Sequence, residues 1–166
     1  MSSQSHTALR VARVVREGDA GVTLVLDGSL ASEPGQFVMV WLPGIEERPF
    51  SVMDDDPIAL TVARVGPFSD ALCALQPGDR LWVRGPYGHG FATPAHSRIL
   101  LIAGGSGAAG LALLAKRARA NDCAVDAVLG ARTAPLLMLP WRFAQLGCAL
   151  TMATDDGSAG TCGTAL

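Results

Sequence analysis

The sequence predicts two structural units, a small antiparallel β-barrel over residues 1–95 and a parallel α/β lobe over residues 96–166. The first 90 or so residues contain six short runs rich in Val, Leu and Thr, separated by Gly, Pro, Asp and Ser, as in small barrels. After Pro94 the order becomes strand, helix, strand, helix, strand, which is typical of a parallel sheet covered by helices. The 166 residues and their 49% hydrophobic content are enough for a packed core in each unit.

Turn residues delimit the barrel strands. Gly18-Asp19 follows the first run, Pro43-Gly44 ends the third, and Pro77-Gly78 closes a short helix. The segment 85–91, GPYGHGF, is predicted to be a loop because it is so rich in Gly and Pro. The predicted strands are Leu9–Arg16, Val22–Leu26, Gln36–Leu42, Arg48–Met53, Ile58–Val65 and Arg80–Arg84, and the predicted helix is Ser69–Leu75.

The lobe begins with Arg98–Ala103, a continuous apolar run that predicts a strand buried on both faces. Apolar residues at helical spacing then predict a helix over Gly107–Asn121. The stretch Ile99–Ala115 is uncharged and nearly long enough to span a bilayer, but a strand, a Gly-rich turn and a helix give the same hydropathy. The remaining predicted elements are the strand Ala124–Gly130, the helix Pro140–Leu146 and the strand Cys148–Ala153.

Charge and cysteine usage exclude several classes of function. The net charge is −2 and no Lys/Arg cluster stands out, so neither nucleic acid nor a membrane is an expected partner. No C-x-x-C or similar spacing occurs, so no metal site is predicted from this chain. The first ten residues contain no apolar h-region, and a cytoplasmic protein with reduced thiols is expected.

The segment 103–110, AGGSGAAG, contains the spacing G-x-G-x-x-G between a predicted strand and a predicted helix. Glycines allow the backbone to approach a pyrophosphate, and the N–H groups at a helix start favour negative charge. A tight turn without any ligand would give the same pattern. An acidic partner for a ribose is expected about 20 residues further on, where Asp122 and Asp126 lie, although Asp122 is also a plausible turn residue.

Two weaker motifs lie in the barrel. In Arg48-Pro49-Phe50-Ser51 the Arg provides a forked donor for a phosphate, although a surface Arg and an ordinary strand Ser explain it equally well. In Gly66-Pro67-Phe68-Ser69 the Ser is placed as an N-cap whose hydroxyl could hold a phosphate, and simple capping is the alternative.

The order of these motifs resembles that of the ferredoxin–NADP reductase superfamily. RPFS at 48–51 is followed by GPFS at 66–69, GPYGHGF at 85–91, GGSG at 104–107 and TDDGSAG at 154–160. The last segment is typical of the electron-transfer subunits of bacterial dihydroorotate dehydrogenase, which the chain resembles most. The sulfhydrogenase γ-type subunits are close cousins. The resemblance covers essentially the whole chain.

This resemblance implies a six-stranded Greek-key barrel that binds FAD, followed by a Rossmann-like lobe, incomplete in this chain, that binds NAD(H). Arg48 would bind the FAD pyrophosphate and Ser51 the isoalloxazine near N5, while Arg132 follows the second lobe strand, where the adenosine ribose should lie. The 85–91 loop would lie at the junction of the two units. No general acid, general base or metal ligand is expected, because the flavin carries the chemistry. The predicted cofactor-binding residues are Arg48, Pro49, Phe50, Ser51, Arg64, Gly66, Ser69, Gly85, Gly88, Gly90, Phe91, Gly104, Gly105, Gly107 and Arg132.

The implied function is electron transfer between NAD(H) and a catalytic dehydrogenase subunit, in a hetero-oligomer that serves pyrimidine biosynthesis. The chain departs from the family at Ala109-Gly110, where Pro residues are usual. Family members also continue for two more strands and a cysteine-rich stretch that binds a [2Fe–2S] cluster, and Cys162 lies too early to be one of those ligands. The alternatives are another FAD/NAD reductase subunit of the sulfhydrogenase γ type, an FAD-binding module without complete turnover, and a non-catalytic partner protein.

Overall fold

A computed structural model of the chain describes residues 5–165, so residues 1–4 and 166, at the ends of the two predicted units, lie outside the described residues. The first part is a closed antiparallel barrel. Its elements are β1 (Thr7–Glu17), β2 (Gly21–Leu26), β3 (Phe37–Leu42), β4 (Glu46–Asp55), β5 (Ile58–Ala63), α1 (Pro67–Cys73) and β6 (Arg80–Tyr87). The strand order around the barrel is β1-β2-β5-β4-β3-β6. The six predicted barrel strands are confirmed.

Alternation of side chains builds the barrel interior. Along β3, Val38, Val40 and Leu42 are buried while the residues between them are only half-buried, as the period of two in a strand requires. Leu24 and Leu60, on paired strands, are at most 1% exposed. The barrel core is therefore made by the Val- and Leu-rich runs that predicted its strands.

The second part is a parallel sheet with helices. Its elements are β7 (Arg98–Gly104), α2 (Gly107–Ala120), β8 (Ala124–Ala131), a 3-10 turn (Ala134–Leu136), α3 (Pro140–Gln145), β9 (Ala149–Thr154) and β10 (Thr161–Cys162). The strand order is β10-β9-β8-β7. Helices α2 and α3 join the same apolar core as the inward-facing residues of β7 and β8. Among residues 5–165, no helix has both the length and the apolar character needed to cross a membrane.

Three predictions about these elements are wrong. Strand β7 is not buried on both faces, because Leu100 and Ile102 are 60% and 37% exposed on the face opposite the helices. The first helix begins at Pro67 rather than at Ser69, since proline is favoured in the first turn of a helix. Strand β6 continues through the predicted loop as far as Tyr87, which pairs with Phe37 of β3. The two-residue strand β10 was not predicted.

The two units exchange side chains at their interface. Leu113 of α2 is fully buried within the barrel core. Conversely, Val25, Met53 and Ala59 of the barrel pack in the core of the lobe. The boundary predicted near residues 94–97 stays a prediction, since the cores on its two sides interpenetrate.

We expect Leu113→Ala to lower the free energy of unfolding by about 2–5 kcal/mol, because a lobe side chain would leave a cavity in the barrel core. Leu100→Ala is the matched control, since the same atoms are removed from a side chain that is 60% exposed. Its effect should stay within about 0.5 kcal/mol. Urea unfolding of both variants measures the difference, and equal effects would show that Leu113 is not part of the packed core.

Candidate functional site

Two open clefts lie where the barrel meets the lobe. The larger one, here named the barrel cleft, has a volume of about 830 Å³ and is formed by β4, the β3–β4 and β5–α1 turns and the start of α2. The smaller one, the lobe cleft, has a volume of about 500 Å³ and lies at the carboxyl ends of β7, β8 and β9. The carboxyl ends of parallel strands are where α/β sheets bind their ligands.

Arg48 lies at the mouth of the barrel cleft on β4. Its side chain is 60% exposed, and its Nε donates a 2.7 Å hydrogen bond to Oε2 of Glu46 two residues away. This hydrogen bond holds the pKa of the Glu46 carboxyl below its ordinary value. A phosphate that entered the cleft would find the guanidinium accessible and would compete with Glu46 for it.

Ser51 lies deeper in the barrel cleft, where β4 faces helix α2. A side chain at Gly110 of α2 would place its Cβ 3.6 Å from the Ser51 Oγ, so the helix and the strand approach closely here. Pro49 and Phe50 also line the cleft, and the Phe50 ring lies 6.2 Å from that of Phe68. The four predicted residues at 48–51 therefore line one surface together.

The turn between β5 and α1 forms the opposite wall. Gly66, not Ser69, is the N-cap of α1, so the prediction of a Ser69 cap is wrong. Ser69 is buried in the first turn, where its Oγ accepts hydrogen bonds from the backbone N–H groups of Val65 and Gly66, at 2.8 and 3.0 Å. The hydroxyl donates to the Gly66 carbonyl at 2.8 Å. Ser69 thus stabilises the turn, and its hydroxyl hydrogen is already donated to the Gly66 carbonyl.

Arg64 and the 85–91 loop lie elsewhere. Arg64 lines the lobe cleft, and its Nη1 lies 3.1 Å from Oδ1 of Asp70.

The segment 85–91 contacts the β2–β3 connection. Phe91 packs on Gly35, since a Cβ at Gly35 would lie 2.6 Å from the Phe91 ring, and the Gly88 carbonyl accepts a hydrogen bond from the Gln36 side chain. The other two residues predicted in this segment are Gly85, which lies within β6, and Gly90, which lies beside Glu33. As far as residues 5–165 describe them, neither cleft is lined by residues 85–91.

The glycine-rich turn lines the lobe cleft. Gly104 is the last residue of β7 and Gly105 follows it with a φ of +50°, which glycine adopts without strain. Ser106 is the N-cap of α2, and Gly107 is the first residue of that helix. The amide N–H groups and the positive end of the dipole at the start of α2 lie beside the cleft. The predicted strand–turn–helix context of this motif is confirmed.

Charged groups on the neighbouring strand ends complete the lobe cleft. Arg132, after β8, and Asp155, after β9, both line it. Asp126 pairs with Arg98 at 2.6 Å near the amino ends of β7 and β8, and Asp122 lies in the turn after α2, so neither of the two acids considered from the sequence lines the cleft. Sequence reasoning missed Asp155, although its position two residues after the predicted strand Cys148–Ala153 was the signal that could have identified it.

The barrel provides the remaining wall of the lobe cleft through the β1–β2 turn. Glu17 is 2% exposed, and its Oε2 accepts a 2.9 Å hydrogen bond from the Leu139 N–H. Its Oε1 accepts from Trp141 Nε1 at 2.9 Å and from the Thr23 hydroxyl at 2.7 Å. This buried carboxylate therefore fastens the β1–β2 turn to the segment of the lobe that leads into α3.

Of the residues that the structure describes, three line both clefts: Ala63, Val65 and Ser106. Val65 is 87% exposed, so its side chain projects between the clefts without being covered by either unit. Ligands in the two clefts would meet at this shared wall.

Comparison with known proteins supports this arrangement. No protein-family model matches the chain. It is 42% identical over 158 residues to the probable dihydroorotate dehydrogenase B (NAD(+)) electron transfer subunit of Methanothermobacter thermautotrophicus, covering 92% of this chain and 59% of that protein. It is 37% identical over 151 residues to the corresponding protein of Methanocaldococcus jannaschii, covering 91% of this chain and 57% of that one. The chain thus spans somewhat under two thirds of the curated relatives that it matches.

Solved structures give the same result. A chain from the structure of an NADH-dependent reduced ferredoxin–NADP oxidoreductase, described as giving insight into flavin-based electron bifurcation, superimposes with a TM-score of 0.83 at 28% identity, over 98% of this chain and 61% of that one. The barrel and the parallel lobe match the two units of ferredoxin–NADP reductase-like proteins. The chain is therefore a homologue of the electron transfer subunits of dihydroorotate dehydrogenase B, with the fold of the ferredoxin–NADP reductase superfamily.

Proposed function

We propose that the protein binds FAD in the barrel cleft and NAD(H) in the lobe cleft, and that it transfers electrons between the nucleotide and a catalytic dehydrogenase subunit. The observation that carries this proposal is the wall of Ala63, Val65 and Ser106 shared by the two clefts. Hydride transfer requires reacting atoms about 3–3.5 Å apart, which only adjoining ligands can achieve. The relatives named as electron transfer subunits support the same conclusion.

The donors of the barrel cleft suit a flavin nucleotide. The Arg48 guanidinium would hold the pyrophosphate, and the Ser51 hydroxyl would contact the ring system near N5. Phe50 and Phe68 provide aromatic surface, and the Gly66 turn leaves room for the ribityl and phosphate part. When bound, the flavin would accept a hydride and release electrons one at a time.

The lobe cleft suits a nicotinamide nucleotide. Three of the four residues at 104–107 are glycines and the fourth, Ser106, has a small side chain, so a pyrophosphate could approach the N–H groups at the start of α2. Asp155 would accept hydrogen bonds from the hydroxyls of a ribose, whereas Arg132 would attract a 2′-phosphate. The protein would contribute positioning and electrostatics, and no side chain is assigned as a general acid or base.

The redox partner in this proposal is a catalytic subunit that oxidises dihydroorotate, as the names of the relatives suggest, and its place would be in pyrimidine biosynthesis. The two electrons released by that oxidation would pass through the flavin of this protein to NAD⁺.

Arg48→Ala should weaken FAD binding about tenfold to a hundredfold, because one charge-assisted phosphate contact is worth about 1.5–3 kcal/mol. The flavin-to-protein absorbance ratio after dilution and gel filtration measures the loss. Arg13→Ala, at an exposed position on β1 outside both clefts, is the matched control and should retain FAD. Ser51→Ala should also retain FAD, yet be reduced more slowly by NADH. Full flavin content in Arg48→Ala would contradict the assignment of the barrel cleft as the FAD site.

We expect the protein to prefer NADH over NADPH, because the Asp155 carboxylate would bind ribose hydroxyls and repel a 2′-phosphate. Asp155→Asn should reduce that preference about tenfold, the effect of one charged hydrogen bond worth about 1.5 kcal/mol. Titration of both nucleotides, followed by quenching of protein fluorescence, measures it. Asp122→Asn is the control, since Asp122 lies in the turn after α2, away from the cleft. A preference of the unmodified protein for NADPH would contradict this assignment.

A further inference from the structure

Two adjacent carboxylates at the end of β4, Asp54 and Asp55, form an ionic cluster with the lobe. Lys116 Nζ of α2 lies 2.6 Å from Asp54 Oδ1 and 3.1 Å from Asp55 Oδ1. Arg117 of α2 also donates to Asp55, and Arg142 of α3 donates to Asp54. The two carboxylate side chains are only 12% and 8% exposed. The cluster therefore joins one barrel strand to two lobe helices through buried charges.

The cluster depends on an irregularity in β4. Successive side chains of a regular strand point to opposite faces, so adjacent aspartates would not normally reach the same ammonium group. The pairing of β4 with β5 shifts register between Val52 and Asp54, and such bulges redirect side chains. Both aspartates reach Lys116 just beyond this shift. The strand that lines the barrel cleft therefore ends in a two-carboxylate anchor for the lobe.

Two contacts define the register of α2 along β4. At one end Gly110 lies against Ser51, and at the other Lys116 binds Asp54. Three strand residues, from 51 to 54, span about 10 Å. Six helical residues, from 110 to 116, span about 9 Å. Since the two spans match, the helix runs alongside the strand and both contacts are satisfied in a single register.

We propose that the cluster of Asp54, Asp55, Lys116, Arg117 and Arg142 positions the lobe cleft relative to the barrel cleft, so that the nucleotide and flavin of the proposed function meet at the distance that hydride transfer requires. This inference rests on the proposed function. The five side chains are positioning residues, since those that line the clefts are others.

Ion pairs can fix the position of the lobe because, unlike apolar contacts, they are directional. The apolar contacts around Leu113 and Met53 stabilise the interface without directional bonds, whereas the ion pairs of the cluster bring particular donor and acceptor atoms together. A slip of one helical residue would move the glycine turn at the start of α2 by about 1.5 Å relative to β4. A misplacement of about 1 Å can lower the rate of a reaction about a hundredfold. Fixing register is the best-attested role of buried ionic groups.

Lys116→Met tests the proposal, because it retains the length of the side chain and removes its charge. FAD content and the Kd for NADH should stay within about twofold of the unmodified protein. The limiting rate of flavin reduction at saturating NADH, measured by stopped flow, should fall about 10- to 100-fold. The long-wavelength absorbance band seen when NAD⁺ is added to photoreduced protein should weaken in parallel, and this band reports ring stacking without turnover. Lys116→Arg should restore both readouts.

Asp126→Asn is the matched control, since it breaks an ion pair with Arg98 that lies within the lobe and outside both the cluster and the interface. It should leave the rate and the band unchanged. If Lys116→Met behaves like this control, the positioning role is wrong. If FAD content or NADH affinity falls as much as the rate, the cluster only stabilises the fold and the proposal fails. An unmodified protein that retains no flavin, or whose flavin NADH does not reduce, would instead overturn the proposed function itself. Should Lys116→Met not fold, Asp55→Asn carries the same test.

Discussion

The packing of helix α2 against strand β4 is the contact on which the arrangement of both clefts depends. The helix begins at the glycine turn of the lobe cleft and inserts Leu113 into the barrel core. The strand carries Arg48 and Ser51 into the barrel cleft. Because Gly110 has no side chain, the two elements approach closely beside Ser51. A shift of α2 along β4 would move Ser106, the N-cap of the helix, relative to Ala63 and Val65 on the barrel side of the shared wall.

Much of this fold could be predicted because its signals are local. Alternating apolar residues and turn pairs such as Pro43-Gly44 define the barrel strands without reference to the rest of the chain. The glycine turn between β7 and α2 could also be predicted, since both the motif and its flanking elements lie within about twenty residues. The order of the motifs indicated the superfamily, which the comparisons then confirmed.

Predictions failed where backbone detail decides the outcome. Helix α1 begins at Pro67, two residues earlier than predicted. Ser69 is therefore not the N-cap but lies in the first turn, where its hydroxyl accepts a hydrogen bond from the Val65 N–H. The Gly- and Pro-rich composition of residues 85–87 concealed a strand, because pairing with β3 outweighs intrinsic propensity. The apolar run of β7 suggested two covered faces, but composition alone cannot tell whether both faces of a strand are packed.

The burial of other residues could not be predicted from their neighbours in the sequence. Glu17 precedes a turn and resembles a surface residue, yet it is buried, and two of its three hydrogen-bond donors, Leu139 and Trp141, lie more than a hundred positions away. Asp54 and Asp55 resemble part of a polar turn before Pro57, and their burial depends on cations of two distant helices. Such residues are recognisable only once the tertiary structure brings their partners together.

The way the barrel closes has a consequence for the order in which the protein assembles. The pairing of Thr7 with Val83 joins nearly the two ends of the barrel segment, and the entropy of closing so long a loop opposes early formation of that contact. By contrast, nearly all of the barrel cleft comes from the continuous stretch between Gly44 and Ser69. The cleft therefore has a much lower contact order than the barrel that carries it. The residues proposed to hold the cofactor are thus separate from those that complete the barrel, and substitutions in one set need not alter the folding step governed by the other.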